Sequence, residues 1–165
     1  MKSGIKVGGV FHVKCIGPDG VVKWEDVAEN RVVNEGLEHI LDILFVGATT
    51  QIDPWYVGLT DGEPTTAAAD TLASHAGWVE VTAYTGDRKE FVDVRADRSV
   101  GNSASKATFA IGTNATTVGG AFLASADSGT VGTLLSVAAF TGGNKTADDG
   151  DTLEVQYTFT AADEA

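Results

Sequence analysis

Three histidines and one cysteine are the residues of this chain best suited to metal binding or nucleophilic catalysis. His12, His39 and His75 fall in a predicted strand, a predicted helix and a predicted loop, and no two have the short spacing of a zinc site. Ser74 precedes His75 directly, but no G-x-S-x-G motif surrounds it, and adjacent residues of an extended chain point to opposite sides. We therefore expect a protein that is not an enzyme.

The acidic run Asp148-Asp149-Gly150-Asp151 offers clustered carboxylates, which suit a hard cation such as calcium. Its spacing does not match an EF-hand loop. Asp and Gly are equally typical of a turn that leads into a strand. The sequence therefore predicts no metal ion and no cofactor, and a turn at this position.

Aromatic side chains are better candidates for a binding surface. Trp78 and Tyr84 share one side of a predicted strand over residues 77–84, and Val79 and Val81 would face inward from the other side. This register puts both rings on a partly exposed face, where aromatic residues often mark an interface. The alternative is that the preceding loop covers Trp78.

Arg88, Arg95 and Arg98 are three of the four arginines in a chain whose formal net charge is −12. Guanidinium groups bind carboxylates through paired hydrogen bonds and are enriched at protein interfaces, so these arginines are candidates for contact with a partner. The alternative is a solvated hairpin whose opposite charges pair across its strands. Together with Trp78 and Tyr84, the three arginines form the predicted partner-binding set.

Charge and cysteine content limit the classes of partner and compartment. The negative net charge argues against nucleic acid and against an anionic membrane as the main partner. Cys15 stands alone and cannot form an intrachain disulfide. No apolar run has the length of a signal peptide or membrane span, so the expectation is a soluble protein made in the cytoplasm.

The clearest helical pattern covers residues 34–46 and is the element around which the other predicted elements are arranged. Asn34 is placed to cap the first free amides, and Gly47 is placed to end the helix. Apolar residues recur at steps of three and four, and we expect this stripe to be buried against the sheets. Its members are Leu37, Ile40, Leu41, Leu44 and Phe45.

Strand patterns fill the rest of the chain. A hairpin is predicted over residues 5–27, and strict alternation of apolar and polar residues predicts a last strand over 152–160, after which the chain is expected to fray. Other predicted strands cover residues 55–60, 77–84, 90–95, 105–111, 117–125 and 130–140, with a loop over 65–76. Short strands with one helix predict a mainly β fold, a single β-sandwich or jelly-roll domain over residues 1–165.

Several runs in the N-terminal half resemble a known family. They are DGVVKW at residues 19–24, NRVVNEGL at 30–37 with Leu41-Asp42, WYVGL at 55–59 and HAGW at 75–78. In this order they resemble small virion proteins of tailed bacteriophages, in particular capsid decoration or cement proteins. The resemblance implies a non-enzymatic protein on the outer surface of the virion that binds and stabilises the major capsid shell, often as a trimer.

Two other functions stay open at this point. Phage proteins of this size also include minor tail proteins, which the shared runs do not separate from decoration proteins. A carbohydrate-binding jelly roll is the second, with Tyr56, Trp78 or Tyr84 as platforms on which sugar rings stack.

Overall fold

The computed structural model describes residues 4–47 and 49–164. Within these ranges the chain forms thirteen strands and one short helix, which runs on into a π-helical turn. In chain order the elements are β1 Gly4–Ile16, β2 Val22–Glu29, β3 Arg31–Val32, α1 Asn34–Leu41, the π-helical turn Asp42–Val46, β4 Tyr56–Thr60, β5 Lys89–Glu90, β6 Val94–Ala96, β7 Ser99–Gly101, β8 Ala107–Ala110, β9 Thr116–Val118, β10 Gly120–Ala124, β11 Leu134–Ala139, β12 Lys145–Ala147 and β13 Thr152–Glu164.

The strands form two main antiparallel sheets. The first sheet has the order β2-β1-β13-β7-β6, and β8 pairs with the early part of β13. The second sheet has the order β3-β11-β10-β4-β5, and β9 and β12 form a separate pair. The predicted mainly β fold with one short helix is confirmed, and the two facing sheets are consistent with a β-sandwich.

The main core lies between the two sheets. Phe11 and Tyr157 on the first sheet stack at 4.2 Å between ring centroids, and both are fully buried. Leu59 and Leu123 of the second sheet belong to the same cluster. Alternate residues of β1 and β13 supply this core, as the predicted hairpin and the alternation of the last strand require.

A smaller core covers the outer face of the second sheet. Phe122 points away from the first sheet and packs with Leu72 and Trp78, which the chain between β4 and β5 brings over this face. All five residues of β10 are therefore buried, because both faces of the strand are covered. The loop predicted over residues 65–76 is part of this cover.

Residues 77–84 do not form the predicted strand. Only two isolated bridges occur there, Glu80 with Thr60 and Tyr84 with Ile111. Val79 is exposed although an inward orientation was predicted, whereas Val81 is buried. The segment follows the edge of β4 through single hydrogen bonds rather than a continuous ladder, so strict alternation does not apply.

Two other sequence predictions need correction. The end of the chain does not fray over its described part, because β1 is long enough to pair Gly4–Val7 with Ala161–Glu164; residue 165 lies outside the described residues. The predicted strand over 117–125 is divided between β9 and β10 at Gly119, where the backbone of Gly62 leaves no room for a side chain.

Candidate interaction surface

The helix docks on the second sheet through its first turn. Gly36 lies so close to β11 that an added Cβ would come within 2.9 Å of the Leu135 Cα and closer still to its carbonyl oxygen, so only glycine fits. The Glu35 carboxylate accepts hydrogen bonds from the backbone amides of Leu72 at 3.1 Å and Leu134 at 2.6 Å. These contacts, with Ile40 as the one stripe residue that packs on the core, fix the position of the helix.

The prediction that the apolar stripe is buried is wrong for four of its five residues. Leu44 is 65% exposed and Phe45 80% exposed, and Leu37 and Leu41 also face solvent. Ile40 is the one member of the predicted stripe that is half-buried, and with Gly36 and His39 it forms the side that the helix turns to the protein. We call the exposed apolar set the helix-tip surface: Leu37, Leu41, Ile43, Leu44, Phe45 and Val46.

The C-terminal residues of the helix-tip surface lie in a different type of helix from α1. From Asp42 the chain forms a π-helical turn, in which the amide of Gly47 donates to the Asp42 carbonyl at 2.8 Å. Gly47 has φ 64°, so the prediction that the helix ends there is confirmed. The predicted Asn34 cap is wrong, because Val33 occupies the N-cap position and no side chain caps this end.

A pocket of about 290 Å³ lies beside the helix-tip surface. Ile40 and Ile43 of the helical segment line one part of it. Its aromatic lining residues are Tyr157 and Phe159 of β13, Trp55 just before β4 and Phe91 just after β5. The other lining residues are His39, Gln51, Ile52, Asp53, Asp93, Val100, Leu123 and Leu135.

His39 is the unusual member of this lining. Its ring is nine-tenths buried and meets Trp55 edge to face, with 5.7 Å between ring centroids. Within the described ranges, its Nε2 atom has no hydrogen-bond partner. The sequence reasoning missed this pocket because, of its helical lining, only Ile40 belongs to the predicted stripe, and His39 and Ile43 lie beside it.

Trp78 is not on an exposed face, so the predicted orientation is wrong. It is 6% exposed and lies between the stacked ring of His75, at 3.7 Å between centroids, and Phe122 at 4.9 Å. Its indole Nε1 donates to the Asp70 carboxylate at 3.2 Å. The loop before Trp78 covers it, which is the alternative that the sequence left open.

Arg88 is also buried, at 6% exposure. Its Nε and Nη2 atoms donate to the Glu80 carboxylate at 2.8 and 2.7 Å, and its guanidinium also donates to the carbonyls of Ala126 and Gly129. The same group lies 5.1 Å from the centre of the Phe122 ring. Arg88 therefore ties one loop to another instead of facing a partner.

Tyr84 is half-buried and packs edge to face on Phe109 at 4.8 Å. Burial, together with the nearby Glu80 carboxylate, raises the pKa of the Tyr84 hydroxyl well above its ordinary value. The Tyr84 side chain thus belongs to the same cluster as Arg88, since both contact the Glu80 carboxylate.

Arg95 and Arg98 lie on the exposed hairpin of β6 and β7. Arg95 donates to the Asp97 carbonyl at 2.7 Å, and the Arg98 guanidinium is 3.8 Å from the Asp97 carboxylate. Of the five predicted partner-binding residues, only these two are fully exposed. The set does not form one surface.

The acidic run before β13 is held by a lysine. The Lys23 ammonium lies 2.8 Å from the Asp148 carboxylate and 2.6 Å from that of Asp151. Burial acts to raise the pKa of Asp151, but hydrogen bonds from Lys23 and from the Asp148 amide hold it below its ordinary value. No group of three or more potential metal ligands occurs among the residues that the structure describes.

Comparison with protein-family models and with curated proteins finds no match. Over residues 4–47 and 49–164, no helix has the length and apolarity needed to cross a membrane.

Proposed function

We propose that this chain is a non-enzymatic structural protein of a tailed-bacteriophage virion, a capsid decoration protein that binds the outer surface of the major capsid shell and stabilises it. The observation that carries the proposal is the helix-tip surface. The protein presents these apolar side chains to solvent on a firmly docked helix. The resemblance of the N-terminal half supplies the class of partner.

The size of the helix-tip surface supports a binding role. From their exposed fractions, its six side chains present on the order of 600 Å² of apolar area, the upper end for the largest patch on a monomer. A stable interface buries about 800 Å² per partner, so this surface would supply most of one contact. Its π-helical turn projects Phe45 outward, where it can enter a partner as an aromatic anchor.

Cosedimentation with purified expanded capsids of the parent phage tests the proposal. We expect the pair Leu44→Ser and Phe45→Ser to weaken binding at least about tenfold, because the largest exposed apolar side chains are lost. Both residues are more than half exposed, so the free energy of unfolding should change little. Val21→Ser, at 60% exposure in the turn after β1, is the matched control and should bind as the parent does.

Two results would contradict the proposal. One is failure of the unaltered protein to bind capsids; the other is equal binding by the serine pair and the control. Purified tails should be run in parallel, because binding to tails alone would indicate a minor tail protein. The hypothesis of a carbohydrate-binding jelly roll loses one of its three proposed stacking platforms, because Trp78 is buried.

Two further parts of the proposal concern assembly and the arginines. We propose a symmetric trimer, and light scattering that gives a monomer at every concentration and on capsids would oppose it.

Arg95 and Arg98 are exposed and available for a second capsid contact. If they take part, Arg95→Ala and Arg98→Ala should weaken cosedimentation while leaving the melting temperature unchanged.

A further inference from the structure

We infer that the pocket beside the helix-tip surface receives an aromatic side chain of the capsid protein that has a basic residue next to it. This inference rests on the proposed function and adds the chemistry of the partner segment. Three features of the pocket lead to it: its size and lining, its acidic residues, and the unpartnered imidazole in its wall.

Size and lining select an apolar anchor. A cavity of about 150 Å³ holds benzene, so the volume of about 290 Å³ has room for an indole ring. Trp55, Phe91 and Phe159 offer aromatic faces and edges against which a planar ring packs. Ile43 belongs both to this lining and to the helix-tip surface, so one partner can cover the two together.

Asp53 and Asp93 give the pocket a negative rim. Both carboxylates belong to exposed residues, and neither forms an ion pair within the part of the chain that the structure describes. In a chain of net charge −12, two such groups beside an apolar cavity attract a cation and repel an anion. A Lys or Arg next to the anchor satisfies this requirement.

His39 favours an anchor that carries a hydrogen-bonding group. A buried polar atom without a partner is costly, and the Nε2 atom of His39 is such an atom among the described residues. The Nε2 atom is shielded from solvent in the free protein, so it gains a partner when the imidazole ring turns toward the pocket. Trp and Tyr side chains bring an N–H or O–H group that can then pair with the imidazole, whereas Leu or Phe brings none. Tryptamine, which joins an indole to an ammonium group, is therefore the appropriate small probe.

Fluorine NMR of the full chain labelled with 5-fluorotryptophan reads the pocket directly. The chain has three tryptophans, of which Trp55 lines the pocket while Trp24 and Trp78 serve as internal references. We expect tryptamine to shift the Trp55 signal alone, and indole-3-propionate, of similar size but opposite charge, to bind at least about tenfold more weakly. Trp55→Phe assigns the signal.

Charge variants test the rim. The pair Asp53→Asn and Asp93→Asn should abolish the preference for tryptamine over indole-3-propionate and weaken capsid cosedimentation at least about tenfold. Glu25→Gln with Glu29→Gln removes the same two charges from exposed positions on β2 and should leave both measurements unchanged. Val100→Trp should fill the pocket and block both probes; its melting curve shows whether it is folded.

The outcomes separate this inference from the proposed function. A Trp55 signal that neither probe moves, or moves equally, overturns the inference. So does undiminished capsid binding by the Asp53 and Asp93 pair when the Leu44 and Phe45 serine pair has lost binding; the proposed function then stands. Failure of the unaltered protein to bind capsids defeats the proposed function, whatever the probes do.

Discussion

Replacing Arg88 by alanine separates a structural arginine from an interface arginine. The guanidinium of Arg88 is buried and makes four hydrogen bonds, two of them to the Glu80 carboxylate. Arg88→Ala removes all four and leaves Glu80 as a carboxylate without its counterion. The protein should therefore lose stability, in contrast to the effect expected of a surface contact.

The magnitude follows from the burial of the two partners. Removing one member of a buried ion pair costs about 3–5 kcal/mol. Glu80 keeps 24% of its side chain exposed, so water can partly solvate the carboxylate that remains. We therefore expect the lower end, about 3 kcal/mol, which corresponds to a fall of roughly 6–12 °C in melting temperature for a chain of this size.

Urea unfolding followed by tryptophan fluorescence measures this loss. Arg95→Ala and Arg98→Ala are the matched controls and should each change the free energy of unfolding by less than about 0.5 kcal/mol, because both side chains lie in solvent. Glu80→Gln combined with Arg88→Ala should cost less than the sum of the single changes. A loss below about 1 kcal/mol for Arg88→Ala would refute the assignment of a buried structural clamp.

Three further predictions concern the helix and the acidic turn. Leu44→Ala should cost less than about 1 kcal/mol in urea unfolding, whereas Leu59→Ala in the core should cost about 2–5 kcal/mol; equal losses would contradict the exposed stripe. Gly36→Ala should destabilise the protein and raise hydrogen exchange in α1, because its Cβ meets the backbone of β11; unchanged exchange would oppose this docking. Lys23→Ala should lower stability at pH 5–7. The difference should begin to shrink near pH 4, where carboxylates without the lysine become protonated, and vanish once the pH has fallen through the lowered pKa values of Asp148 and Asp151; a difference independent of pH would contradict the lysine bridge.

Local patterns predicted the elements that depend on neighbouring residues. The hairpin of β1 and β2 and the alternation of β13 follow from side-chain period and turn residues, because one face of each strand lies on the core. The helical segment over residues 34–46 and its end at Gly47 were equally readable. A mainly β fold could therefore be predicted from sequence.

Which face of an element is buried was decided by contacts distant in sequence. The helical stripe predicted a buried face, but Gly36 and Glu35 dock the helix on β11 by another side, and no local pattern encodes that choice. The same holds for Trp78, whose inner face packs on Phe122 of β10, and for Arg88, which donates to the Gly129 carbonyl. Periodicity reports that an apolar face exists; only the packing of the whole chain determines whether the protein itself or a partner covers it.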